Sequence, residues 1–118
     1  MPARIVVVLN NPKLADATVS ALMANGYDAL AIHDSMAALT LLEHAHDIEL
    51  LVTSTYFQEG KPTGAALALM TKTKRPQLRV VFVGDPHLAA LLDDIGQMIA
   101  EPISPLRVVD IVRIALPA

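Results

Sequence analysis

The chain has 118 residues, of which 53% are hydrophobic and 18% are charged, and it contains no cysteine. This composition is too apolar for a disordered segment, and it excludes disulfides and thiol chemistry. A formal charge of −3 gives no electrostatic basis for binding nucleic acid. No apolar run approaches the roughly 20 residues of a membrane-spanning helix. We therefore expect one cytoplasmic domain over residues 1–118, with no output domain and with neither nucleic acid nor membrane as a partner.

Five runs of apolar and β-branched residues have the length of strands buried in a sheet. In chain order they are Arg4–Leu9, Asp28–Ile32, Ile48–Thr53, Arg79–Val83 and Gln97–Ala100. The first and the fourth are rich in valine, whereas the last is the weakest of the five. Each run is followed by residues that are typical of a helix start, so strands alternate with helices along the chain.

Helices are predicted where cap and stop signals bracket a segment of helical periodicity. They run from Pro12 to the stop at Asn25-Gly26, from Ser35 to about His44, from Thr63 to Lys74, from Pro86 to about Asp94 and from Leu106 to Leu116. Asp85-Pro86 and Ser104-Pro105 share one pattern, a polar capping residue followed by a proline that suits the first helical turn. The fourth of these helices is short.

Five strands alternating with five helices predict an α/β fold with a parallel sheet covered on both faces. Right-handed crossovers favour a doubly wound five-stranded sheet, flavodoxin-like (βα)5, with strand order 2-1-3-4-5. Ligands of such sheets bind at the carboxyl ends of the strands, at the switch point between the first and third strands. No glycine-rich phosphate loop lies there, so nucleotide binding of the P-loop or dinucleotide type is unsupported.

The strand ends of this sequence resemble those of the receiver domain of two-component response regulators, in a degenerate form. Arg4–Pro12 resembles the opening strand with its acidic pair, and Asp47–Ser54 resembles the third strand that ends in the phosphoacceptor aspartate. Gly64 fits the glycine that begins the third helix, and Val80–Gly84 resembles the strand that ends in Thr or Ser. Glu101–Pro105 resembles the Lys-Pro-Phe segment before the last helix. The resemblance covers nearly the whole chain and implies a role in signal transduction.

Each position that carries the family's chemistry is altered here. Two carboxylates hold Mg²⁺ in the family, and the equivalent positions are Leu9 and Asn10, neither of which can ionise. The phosphoacceptor position is Ser54, whose hydroxyl is a weak nucleophile without an adjacent base. The remaining equivalents are the switch positions Gly84 (Thr or Ser in the family), Met98 (the aromatic), Glu101 (the lysine) and Pro102 (the proline after it). We therefore expect no catalytic residue, no metal and no cofactor.

Glu101 has the opposite charge to the lysine that it replaces and would repel a phosphoryl group. We interpret it as structural, as a hydrogen-bond partner for Asn10, Ser54 or a nearby lysine, with a functional acid as the alternative. The resemblance further implies that Pro102 follows a cis peptide bond, as the family's proline does.

The last predicted helix is apolar over more of its surface than one contact with a sheet requires. Arg107, Asp110 and Arg113 form a narrow polar stripe, whereas packing on a sheet needs an apolar stripe of only about 100°. The excess predicts a protein partner, for which a symmetric homodimer is the simplest solution. Scattered exposed aliphatic side chains are the alternative. The candidate interface residues are Leu88, Leu91, Leu92, Leu106, Val109, Val112 and Arg113.

The sequence keeps the hydrophobic pattern of a receiver domain, but its site positions differ from those of the family. This combination predicts a phosphorylation-independent protein-interaction module rather than an enzyme. It would dock on a second copy of itself, on a kinase or on an output protein. Two alternatives stay open. The altered crevice could bind a small molecule or an anion, or the chain could be a phosphorelay receiver with an unusual acceptor such as Asp85.

Overall fold

The sheet contains the five predicted strands, with bounds that differ from the predicted ones by two residues at most. The computed structural model describes residues 4–44 and 47–116. The strands are β1 (Ile5–Val8), β2 (Ala29–Ala31), β3 (Leu50–Ser54), β4 (Arg79–Gly84) and β5 (Gln97–Ala100). All neighbouring strands are parallel, and their order is β2-β1-β3-β4-β5. The predicted doubly wound, flavodoxin-like α/β fold is therefore confirmed.

A helix follows each strand, as predicted. The helices are α1 (Pro12–Ala24), α2 (Ser35–His44), α3 (Gly64–Lys74), α4 (Ala89–Leu92) and α5 (Pro105–Ala115). A 3₁₀ turn at Pro86–Leu88 leads into α4, which confirms the short fourth helix. Among residues 4–44 and 47–116, none of the helices has both the length and the apolar character that crossing a bilayer requires.

The core lies in two layers, one on each face of the sheet, because successive side chains of a strand point to opposite faces. Val7 and Val52 face the layer that α1 and α5 cover. Val6, Leu51 and Phe82 face the layer that α2, α3 and α4 cover. Since β1 and β3 are buried on both faces, only the polar residues that follow them reach the edge of the sheet.

Helix α5 buries more of its apolar surface than the single contact with the sheet that we predicted. It packs against α1 as well as against the sheet, so its buried arc is wider than one contact would need. Val109 and Val112 are 2% and 0% exposed, and Leu92 is buried in the opposite layer. The prediction that these three residues belong to an interface is therefore wrong. Arg113 is exposed, but it donates a hydrogen bond of 2.6 Å to the Asn25 side chain at the end of α1.

Candidate functional site

The carboxyl ends of β1 and β3 are joined by Asn10. Its backbone N–H donates to Ser54 Oγ at 2.9 Å, and its side-chain Nδ2 donates to the Tyr56 carbonyl at 3.0 Å. Leu9, by contrast, is buried in the layer beneath α1 and α5 and does not face the crevice. Of the two positions that resemble the acidic pair, only Asn10 therefore reaches the crevice, and its amide is neutral.

Ser54 is buried at the end of β3, with 1% of its surface exposed. Its hydroxyl oxygen accepts the hydrogen bond from Asn10, and its carbonyl accepts one from Thr53 Oγ1 at 3.0 Å. Within the described residues, no histidine and no carboxylate contacts this hydroxyl. Without a base to remove its proton, Ser54 is not an activated nucleophile.

Gly84 leaves a space that Thr55 fills. A Cβ atom at position 84 would overlap Thr55 Oγ1 and lie 2.9 Å from Thr55 Cγ2. The Thr55 side chain therefore occupies the room that a Thr or Ser at position 84 would need. Gly64 is equally constrained on the other side of the crevice, because a Cβ atom there would overlap the Ser54 carbonyl oxygen.

The segment after β5 does not contribute a side chain to this arrangement. The Glu101 backbone N–H donates to the Gly84 carbonyl at 3.1 Å, while the Glu101 side chain is exposed. Within residues 4–44 and 47–116, that carboxylate makes no side-chain hydrogen bond, so our structural interpretation of Glu101 is wrong; Asn10 and Ser54 pair with each other instead. The Glu101-Pro102 peptide is cis, as expected, and Met98 packs beneath α4 in the second layer.

A cleft of about 570 Å³ opens beside these strand ends. Asp34 and Lys61 form an ion pair across it at 3.0 Å, and Asp34 also accepts the Ala37 N–H at the start of α2. The Lys61 ammonium group, and after it the Ala37 N–H, hold the pKa of the Asp34 carboxylate below its ordinary value. The lining residues are Asn10, His33, Asp34, Ser35, Tyr56, Phe57, Gln58, Glu59 and Lys61.

Ser35 is the unusual member of this lining. It is 2% exposed, and among the described residues its hydroxyl has no hydrogen-bond partner. In the sequence, Ser35 is recognisable only as part of a helix start, and no pattern singles out Lys61. No spacing rule connects Lys61 to Asp34, because the contact depends on how the loop after β3 folds back.

Solved structures match the chain over almost its whole length. A response regulator receiver protein from Sinorhizobium medicae is 19% identical, with a TM-score of 0.80 over 98% of this chain and 96% of that one. The chemotaxis response regulator CheY4 of Vibrio cholerae is 13% identical, with a TM-score of 0.82 over 98% and 100% of the two chains. NtrX from Brucella abortus is 24% identical, with a TM-score of 0.82 over 98% of this chain and 27% of NtrX. The chain has the receiver-domain fold. No protein-family model and no curated protein sequence matches it.

Asp85 lies beside the end of β4 in this receiver fold and was the candidate for an unusual phosphoacceptor. Its carboxylate accepts the His87 N–H at 2.9 Å and contacts the His87 ring nitrogen at 2.8 Å. These contacts lower the pKa of Asp85 from its ordinary value. Within the described parts of the chain, no group of three metal-ligating side chains accompanies it. The Asp85 carboxylate therefore serves as a cap for the turn that it precedes.

Proposed function

We propose that this chain is an atypical receiver-like protein that acts in signal transduction by binding a protein partner, independently of phosphorylation. The receiver-domain fold supports the signalling role. The observation that carries the proposal is the chemistry of the crevice. Asn10 offers a neutral amide, Ser54 a hydroxyl already bound to the backbone, and Glu101 an exposed negative charge. Mg²⁺ prefers several oxygen ligands with negative charge, and among the described residues Leu9, Asn10 and Ser54, at the ends of β1 and β3, provide no carboxylate.

A titration with beryllofluoride and Mg²⁺, a probe of phosphoryl binding, tests the independence from phosphorylation. We expect no saturable change in the amide NMR signals of residues 53–56, and no mass increase after incubation with acetyl phosphate. Ser54→Ala is the matched control. A saturable response in the natural chain that disappears in Ser54→Ala would contradict the proposal.

The proposed partner surface lies around the edge strand β5. Helices α4 and α5 cover opposite faces of the sheet on either side of this strand. Leu91 and Leu106 are 77% and 68% exposed, and Leu88 and Ile114 are exposed as well. We call these four residues the edge set. A second copy of the chain, a kinase or an output protein would bury this set.

Size measurement and co-purification test the partner surface. We expect the natural chain to associate with itself or to retain a kinase or output protein, and we expect Leu91→Asp to abolish that association. Met36→Asp is the matched control, because Met36 is 47% exposed on α2, the helix between β2 and β3, whereas α4 and α5 flank β5. Equal loss in both variants would show that the edge set is not the surface used.

A second candidate function is binding of a small molecule in the cleft, favoured by the Ser35 hydroxyl, which has no hydrogen-bond partner among the residues that the structure describes. A buried hydroxyl without a partner costs stability, and a ligand that hydrogen-bonds it would recover that cost. A ligand at a hundred times its dissociation constant should raise the free energy of unfolding by about 2.7 kcal/mol. A thermal-shift screen of metabolites, with Ser35→Ala as the control, measures this. A screen without any hit would argue against the candidate.

A further inference from the structure

The segment Ser54–Tyr56 is fixed at three consecutive residues by three different parts of the fold. Asn10, after β1, donates its backbone N–H to Ser54 Oγ at 2.9 Å and its Nδ2 to the Tyr56 carbonyl at 3.0 Å. Between these two points, the Thr55 N–H donates to the Val83 carbonyl at 3.1 Å. The segment thus bridges the ends of β1 and β4 on either side of β3.

The first turn of α3 closes the arrangement from a third side. The Gly64 N–H donates to the Thr55 carbonyl at 3.1 Å, and Gly64 has no room for a side chain against the Ser54 carbonyl. Any other residue at position 64 would push α3 away from β3. The close approach therefore depends on glycine, and it holds the carbonyl side of the segment.

The contact between Thr55 and Gly84 links the segment to the chain that follows β4. A Cβ atom at position 84 would overlap the Thr55 hydroxyl and crowd its methyl group. The backbone after Gly84 continues directly into Asp85 and the 3₁₀ turn at Pro86–Leu88. Thr55 therefore packs against the last residue of β4, directly before the chain that carries Leu88 and Leu91.

We infer that Ser54–Tyr56 is an internal plug that holds the crevice in one arrangement and fixes the segment after β4 without any ligand. Its contacts with Asn10, Val83, Gly64 and Gly84 come from four separate places in the chain, and two of them depend on glycines that leave room for it. The plug sets the conformation of residues 85–92 constitutively. This inference concerns conformation and does not rest on the proposed function.

A double-mutant cycle on Thr55 and Gly84 tests the plug. We expect Gly84→Ala to lower the melting temperature by about 5–15 °C, because the added methyl group overlaps Thr55. Thr55→Ala alone removes little buried surface and should lower it by less than about 5 °C. The double variant should recover at least half of the Gly84→Ala loss, because the space is vacated. A double variant whose loss equals the sum of the two single losses would overturn the inference.

Hydrogen exchange gives a second readout if Gly84→Ala does not fold. In Thr55→Ala we expect the amides of residues 85–92 to exchange at least about tenfold faster, because local opening there becomes easier. Thr40→Ala, on the exposed face of α2, is the matched control and should leave that exchange unchanged. Unchanged exchange of residues 85–92 in Thr55→Ala would refute the plug.

These measurements separate the plug from the proposed function, because both are made without beryllofluoride, Mg²⁺ or a partner. Binding of beryllofluoride to the natural chain would contradict phosphorylation independence while leaving the double-mutant cycle intact. Additive losses in the cycle would refute the plug and leave the titration result unaffected.

Discussion

The crevice and the edge set use their side chains in opposite ways. In the crevice, the polar groups of Asn10 and Ser54 bond to each other and to the backbone, and Thr55 fills the space above Gly84. At the β5 edge, Leu91 and Leu106 stay largely exposed although each could bury a full apolar side chain. The contrast teaches that the polar groups of Asn10 and Ser54, at the ends of β1 and β3, are paired within the protein. The exposed apolar surface that a partner could bury lies elsewhere, at the edge set.

The largest expected effect is a difference in the free energy of unfolding between substitutions on the buried side and on the exposed side of α5. Val112→Ala should lower the free energy of unfolding by about 2–3 kcal/mol, because it removes buried methyl groups and leaves a cavity. Ile114→Ala should change it by less than about 0.5 kcal/mol, since Ile114 is mostly exposed. Urea denaturation of both variants measures the difference. Similar losses would mean that Ile114 is as buried as Val112, in an assembly or otherwise.

The next largest effect is expected at the edge set, where a substitution should weaken association with a partner and leave folding unchanged. Leu106→Asp should weaken self-association or partner binding by about 2 kcal/mol or more, roughly 30-fold, if Leu106 lies near the centre of the interface. Its free energy of unfolding as a monomer should stay within about 0.5 kcal/mol of the natural value. Sedimentation over a range of concentrations measures the first quantity. Unaltered association would remove Leu106 from the surface.

The two buried serines, Ser54 and Ser35, should contribute differently to the free energy of unfolding. Ser54→Ala should lower the free energy of unfolding by about 1–2 kcal/mol, because the Asn10 N–H loses its acceptor. Ser35→Ala should leave it unchanged or raise it by about 1 kcal/mol, because the hydroxyl removed has no partner among the described residues. Thermal and urea denaturation give both values. A clear loss in Ser35→Ala would reveal a partner for that hydroxyl.

The smallest effect is the pH dependence of the ion pair across the cleft. Because the pKa of Asp34 is lowered in the folded state, its carboxylate stabilises the fold above the unfolded value of about 3.9. That contribution is lost as the pH falls through the folded pKa. Asp34→Asn keeps a capping residue for α2 but loses the charge. Between pH 7 and pH 3 the natural chain should therefore lose slightly more stability than the variant, and an equal loss would show that the pair contributes nothing.

The fold could be predicted from the sequence because its signals are local. Continuous valine-rich runs such as Val80–Val83 specify strands buried on both faces, and pairs such as Ser104-Pro105 mark helix starts. The burial of Val109 and Val112 could not be predicted in the same way. Helical periodicity shows how much of α5 is apolar, but it does not show that α1 covers part of that surface.

Local sequence patterns do not predict the contacts of the candidate site either. Asn10 and Tyr56 are 46 positions apart, and their hydrogen bond uses a backbone carbonyl that any residue would provide. The pairing of Thr55 with Gly84 depends on the register that sets Ser54 beside Val83 in neighbouring strands. The sequence shows which positions differ from the groups of receiver domains, whereas the contacts that the side chains at these positions make are visible only in the structure.

The proline that follows the cap of three helices has a consequence for anions. Pro12, Pro86 and Pro105 each occupy the first helical position next to a carboxyl strand end, and each lacks a backbone N–H. The capping side chain before each proline accepts a further amide of the same turn. Helix starts normally offer several free amides to a phosphate group. Here each of the three turns lacks one of those donors and has another bonded to its own capping side chain, so fewer backbone amides are free to bind an anion at this rim of the sheet.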